Sequence, residues 1–130
     1  MSRIVQAVNA MISLKSNIGN VRKGLCPNEF YFSYNNKYVW SISMDEDNED
    51  FIITNYPLPD FNNVDDYIHK LSMLDPPEFE NIDLVAYSSR DLKTREAKES
   101  FSELYTIIKE KLLGIDEVLD DIIRDAEVPF

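Results

Sequence analysis

His69 and Cys26 are the only histidine and the only cysteine in the chain, so base or thiol chemistry near neutral pH would have to use them. His69 stands between Ile68 and Lys70, off the apolar stripe formed by Tyr67, Leu71 and Leu74. A general-base histidine wants an orienting carboxylate and a nucleophile within reach. Asp65 and Asp66 are close in sequence, but no nucleophile motif accompanies them, and the reading is a surface histidine. Cys26 precedes Pro27 in a loop-forming stretch. A lone cysteine makes no intramolecular disulfide and no zinc cluster; a nucleophilic thiol needs a partner base or a helix N-terminus, and the one histidine available for a Cys26–His69 pair comes with no motif that supports it. The chain is therefore not expected to be an enzyme.

The densest chemical feature is Asp45-Glu46-Asp47-Asn48-Glu49-Asp50. Acids at alternate positions suggest calcium, but the helix-loop-helix motif needs glycine at loop position 6 and a bidentate glutamate at position 12. Counted from Asp45, those places hold Asp50 and Tyr56. The expectation is a solvated hairpin connection without metal. Ser88-Ser89-Arg90-Asp91-Leu92-Lys93-Thr94-Arg95 combines hydroxyls and arginines ahead of a helix, a setting that can hold an anion. No glycine-rich phosphate loop is present, and capping by Thr94 accounts for the pattern. No cofactor is expected.

Tyr31, Tyr34, Tyr38 and Trp40 crowd one hairpin. Buried, they would form core beneath helices. Exposed, they would mark a protein interface. Tyr31 and Tyr38 join Asp45, Glu46, Asp47, Glu49 and Asp50 as candidate partner-binding residues.

The elements that would position these residues follow from periodicity. Ser2 caps a helix with Ile4, Val5, Val8, Met11 and Ile12 on one stripe, ending near Asn17–Gly19, where Gly19 can take a positive φ. A loop marked by Gly24 and Pro27 follows. Glu29–Tyr34 and Lys37–Met44 flank Asn35-Asn36, a strong hairpin signal. Phe51–Tyr56 reads as a third strand, closed by Pro57 and Pro59. Asn62-Asn63 caps a helix carrying Val64, Tyr67, Ile68, Leu71 and Leu74, ended by Pro76-Pro77. Ile82–Tyr87 reads as a fourth strand. From Thr94 a long stripe runs through Phe101, Ile108, Ile115 and Ile122, seven residues apart. It stays in phase across Gly114, favouring one bent helix of about 30 residues over two helices with Asp116 capping the second. The heptad run can serve as a dimer seam, but a domain of this size needs it for its own core. The order α-β-β-β-α-β-α with short turns is α+β: an N-terminal helix, a three-stranded antiparallel meander, a short helix, a fourth strand and a long C-terminal helix, all helices against one sheet face.

Length and composition agree. The 130 residues suit a single globular domain over 1–130, and 44% apolar and 12% aromatic residues supply a core. No apolar run approaches the ~20 residues of a membrane span, and the amino terminus lacks the pattern of a signal peptide. A cytoplasmic protein is expected.

Net charge is −11, and it is uneven. Residues 1–44 are net +4, 45–83 net −11, 84–113 net +1 and 114–130 net −5. No basic footprint suited to nucleic acid or an anionic membrane exists. Such a field attracts and steers a basic protein. It also keeps a protein soluble, and both readings stand at this point.

The element order, length and low pI resemble the layout of the small acidic chaperones of bacterial type III secretion. That resemblance rests on layout across most of the chain rather than on a motif, and the strand which that family adds before its last helix is not legible. It implies a homodimer holding an unfolded effector segment along apolar patches. The charge pattern itself favours an immunity or antitoxin-type inhibitor of a basic toxin, with acids of the 45–50 run standing in for phosphates. A nucleic-acid-mimicking inhibitor is a further alternative.

Overall fold

A computed structural model describes residues 2–24, 26–57, 63–73 and 84–127. Helix α1 spans Arg3–Ser13, and the Ser2 hydroxyl caps it by accepting from the Val5 N–H at 3.3 Å. A single 3₁₀ turn, Lys15–Asn17, leads into strand β1, Ile18–Lys23. Strands β2 (Glu29–Tyr34), β3 (Tyr38–Asp45) and β4 (Asp50–Tyr56) follow, then helix α2 (Val64–Leu71) and strand β5 (Val85–Ser88). A short helix α3 (Ser89–Leu92) precedes α4 (Arg95–Leu113) and α5 (Ile115–Glu127). The strands form one antiparallel sheet in the order β1-β2-β3-β4-β5. The class is α+β, as the element pattern required.

The sheet has one strand more than the sequence suggested. Ile18–Lys23 lies where a helix end and loop were expected. Gly19 pairs with Ser33 inside β1, and the positive φ falls on Asn20 at +52°. That residue belongs to a bulge which shifts the β1–β2 register between Gly19 and Arg22. The β2–β3 hairpin turns on Asn35 and Asn36, with φ of +57° and +51°, the conformation asparagine tolerates better than most residues.

Strand alternation sends two sets of side chains to opposite faces. Phe30, Phe32, Ile42, Phe51 and Ile53 meet Ile4, Val5, Val8 and Met11 of α1 and Ala97, Phe101, Leu104, Tyr105 and Ile108 of α4 in the main core. Trp40 packs half-buried at its margin. Ser100 Oγ donates to Asn9 Oδ1 at 2.7 Å and ties the two helices together. The other face carries a second core, in which Tyr31, Val39 and Tyr56 pack under Tyr67, Ile68 and Leu71 of α2. Helices thus cover both faces rather than one. The reason is legible in β2 and β3: Tyr31 and Val39 alternate with Phe30, Phe32, Trp40 and Ile42, so apolar residues point both ways. Asn63 caps α2, its Oδ1 accepting from the Asp65 N–H at 2.9 Å. Leu74, Pro76-Pro77 and the start of the expected fourth strand, Ile82, lie outside the described residues.

The long C-terminal helix is two helices. Gly114 adopts φ +64°, ψ +32° and its N–H returns to the carbonyls of Glu110 and Lys111. A left-handed residue closed in this way ends a helix, so the in-phase stripe does not make one continuous rod. Helix α5 begins at Ile115, placing Asp116 in its first turn rather than at a cap.

Candidate functional site

The acidic run forms the β3–β4 connection, as expected, and its residues do different work. Asp45 shapes the turn: Oδ1 accepts from the Asp47 N–H at 3.0 Å and Oδ2 from Asn48 Nδ2 at 3.1 Å. Glu49 sits at φ +55°. Asp50 is half-buried at the hairpin base, where its Oδ1 accepts from Ser89 Oγ at 3.2 Å. Ser89 Oγ in turn accepts from the Phe51 N–H at 2.9 Å. Glu46, Asp47 and Glu49 are exposed. Glu46 Oε1 accepts from the neutral Asn28 amide at 2.7 Å, which orients the carboxylate without cancelling its charge. The ion pairs Arg22–Asp65, Arg95–Glu99 and Arg124–Asp121 all lie elsewhere, so among the described residues no ion pair engages the tip.

Beside the tip lies an open groove of about 730 Å³. Met44 and Phe51 give it an apolar floor, Glu46 and Glu49 form one wall, and Arg95, Lys98, Glu99, Ser102 and Glu103 of α4 form the other. Arg95 Nε donates to Glu99 Oε1 at 2.8 Å, leaving carboxylates in excess. An apolar floor beside the Glu46–Glu49 wall suits the aliphatic stem and charged head of a lysine or arginine, while the α4 wall balances Arg95 and Lys98 against Glu99 and Glu103. The field of Glu46 extends inward: burial, helped by that carboxylate, pushes the Tyr105 hydroxyl above its ordinary pKa.

The aromatic candidates separate. Tyr38 is 46% exposed at the hairpin edge, with Lys37 Nζ 5.2 Å from its ring centroid. Tyr31 is fully buried beneath α2, its ring centroid 5.7 Å from that of Tyr56, and it offers no surface to a partner. The structure does not bring Tyr31 to the acidic tip.

His69 lies exposed on α2 with Nδ1 3.2 Å from Arg22 Nη1. Arginine can only donate, so Nδ1 is the acceptor in this contact. Its neighbour is a guanidinium, itself 3.5 Å from Asp65, rather than a nucleophile. Cys26 is exposed. In the 88–95 stretch, the Ser88 hydroxyl caps α3 through the Arg90 N–H and the Thr94 hydroxyl caps α4 through the Ala97 N–H at 3.1 Å. Those hydroxyls are committed to backbone. No group of three or more metal-binding side chains occurs among the described residues, and no described helix is long and apolar enough to cross a membrane.

A second surface was missed in the sequence. Val118, Leu119, Ile122 and Ile123 of α5 are 47%, 49%, 61% and 55% exposed. Their phase with Phe101 and Ile108 made them look like core. The signal that could have separated them is Gly114 together with the acid density that follows it. Comparison of the chain with protein-family models, curated proteins and solved structures returns no match.

Proposed function

We propose that this chain is a small acidic protein-binding protein, an inhibitor of the immunity or antitoxin type that occludes a basic protein toxin. The observation that carries this reading is the β3–β4 tip: Glu46, Asp47 and Glu49 are exposed on a hydrogen-bonded turn and paired with no described cation, beside an apolar-floored groove whose lining carries four acids and two bases. Inhibition would be steric and electrostatic. The field of the tip speeds encounter with a basic cleft, and the groove takes a basic side chain of the partner. The Asp45 carboxylate already holds the turn through the Asp47 N–H and the Asn48 amide, so little reorganisation is needed on binding.

The test is co-expression with the product of the adjacent gene, followed by association kinetics across a salt series. The inhibitor reading requires a stable complex, loss of the partner's toxicity, and an on-rate that falls as salt rises. Absence of association at low salt would remove it.

A second reading, the acidic chaperone, is favoured by the bare aliphatic stripe of α5, which suits capture of an apolar segment. The layout fits it less closely: the added strand, β1, precedes the meander instead of standing before the last helix. A chaperone would bind an extended segment with little salt dependence.

A further inference from the structure

Helix α5 carries an aliphatic face that the rest of the described protein does not cover. Exposed Val118, Leu119, Ile122 and Ile123 continue from half-buried Ile115 at i+3, i+4, i+7 and i+8, a single stripe on an amphipathic helix. Leu113, the last residue of α4 before the Gly114 cap, is 66% exposed as well. Where α5 meets the body, a cleft of about 370 Å³ is lined by Val21, Glu110, Lys111, Leu112 and Glu117 among others. Contiguous apolar surface of this kind on a small domain marks a contact site.

Charge decides what fits there. At about 100° per residue, Asp121 and Asp125 border one side of the stripe and Asp120 borders the other. Arg124 stands on the opposite face, 3.5 Å from Asp121. Residues 115–127 hold six acids and one base. A second copy of α5 would set acidic border against acidic border. An anionic membrane is repelled by the same borders.

We infer that α5 is a docking surface for a basic amphipathic helix of a partner protein, with aliphatic residues at i, i+3, i+4 and i+7 and lysine or arginine along both edges. Helix-on-helix recognition of this type reads the apolar anchors for affinity and the edges for selectivity. The surface is distinct from the hairpin groove: α4 alone separates Glu103 from Gly114 by about 16 Å. The inference does not depend on how the acidic tip is used.

The experiment uses the full chain and two labelled helical peptides of about 14 residues, matched to the length of α5: one of leucine and lysine, one of leucine and glutamate, with identical apolar spacing. Fluorescence anisotropy should show the leucine–lysine peptide bound and the leucine–glutamate peptide unbound. The double variant Leu119→Ala, Ile122→Ala keeps charge and helix propensity, and should weaken binding about tenfold or more. Asp120→Asn, Asp121→Asn, Asp125→Asn together should weaken it several-fold and flatten its salt dependence. Equal binding by the Leu119→Ala, Ile122→Ala variant would show that charge alone holds the peptide, and would overturn the inference. A wild-type dimer in sedimentation equilibrium that the same variant turns into monomer would assign the face to a second copy instead and overturn it equally.

Discussion

The Tyr56 phenol and the Ser41 hydroxyl share a hydrogen bond of 3.0 Å beneath α2. Around them the second core closes: the Tyr31 and Tyr56 rings meet tilted at 60°, and Tyr67 of α2 packs in the same buried cluster. Burial pushes the Tyr56 hydroxyl up to about 12 and raises those of Tyr31 and Tyr67 as well. The Ser41 bond works the other way on Tyr56, but burial outweighs it.

Stability should therefore decline in alkali. Below the ordinary tyrosine value of 10.0 both folded and unfolded states keep their protons, and the raised values cost nothing. Above it the unfolded chain ionises while the buried phenols stay neutral, so stability is lost as pH climbs toward about 12. Tyr56 alone accounts for roughly 2–3 kcal/mol of that loss. Thermal midpoints measured across this range should fall, and Tyr56→Phe should make the fall shallower. Tyrosinate absorbance titrating all seven tyrosines together near pH 10, with the fold intact, would contradict it.

The hairpins were legible because their signals are local. Asn35-Asn36 specifies a turn, and alternation from Tyr38 to Met44 specifies a strand. Strand β1 was hidden because Gly19, Asn20 and Arg22 break alternation at a bulge, and its register comes from β2 rather than from its own residues. The positions of α2 and α5 depend on what lies opposite them. A helical stripe states that one face is apolar, but not whether the chain returns to cover it. The acidic tip was readable as a charged connection. That Asp45 and Asp50 serve the fold, and that Tyr31 lies inside it, depends on hydrogen bonds and burial across strands.

Ile108 and Ile122 test the break at Gly114, because they occupy equivalent phases of the same heptad run. Ile108 is fully buried and Ile122 is 61% exposed. Ile108→Asp should unfold the protein, since an unpaired charge in the core costs several kcal/mol of a stability of about 5–15 kcal/mol. Ile122→Asp should leave the melting temperature nearly unchanged. A continuous helix packed along its whole length would make the two variants equally destabilising, and calorimetry separates the cases.

Ser89, immediately after edge strand β5, anchors the base of the acidic hairpin beside β4. Its hydroxyl accepts from the Phe51 N–H and donates to Asp50, and the residue is 4% exposed. Ser89→Ala leaves a buried N–H without its acceptor and should cost about 1–3 kcal/mol. Ser89→Thr, which retains the hydroxyl, should recover part of that. Chemical denaturation gives both values. Equal stability of wild type and Ser89→Ala would mean that this bond does not hold the hairpin.

The acidic tip can be tested without disturbing its turn. Asp45 accepts the bonds that shape the connection and Asp50 is tied to Ser89, so both should be left in place. Glu46→Gln, Asp47→Asn and Glu49→Gln remove three exposed charges while retaining side-chain size and the acceptor that faces Asn28. Exposed charges contribute little to stability, and the melting temperature should barely move. Association with a basic partner should slow and lose much of its salt dependence, because steering follows the summed field. Dissociation should change less, except where Glu46 and Glu49 wall the groove and meet a basic side chain directly. A variant that associates as fast as wild type at low salt would leave the tip only a solubilising role. Binding would then have to be carried by α5, whose aliphatic face the three substitutions do not touch.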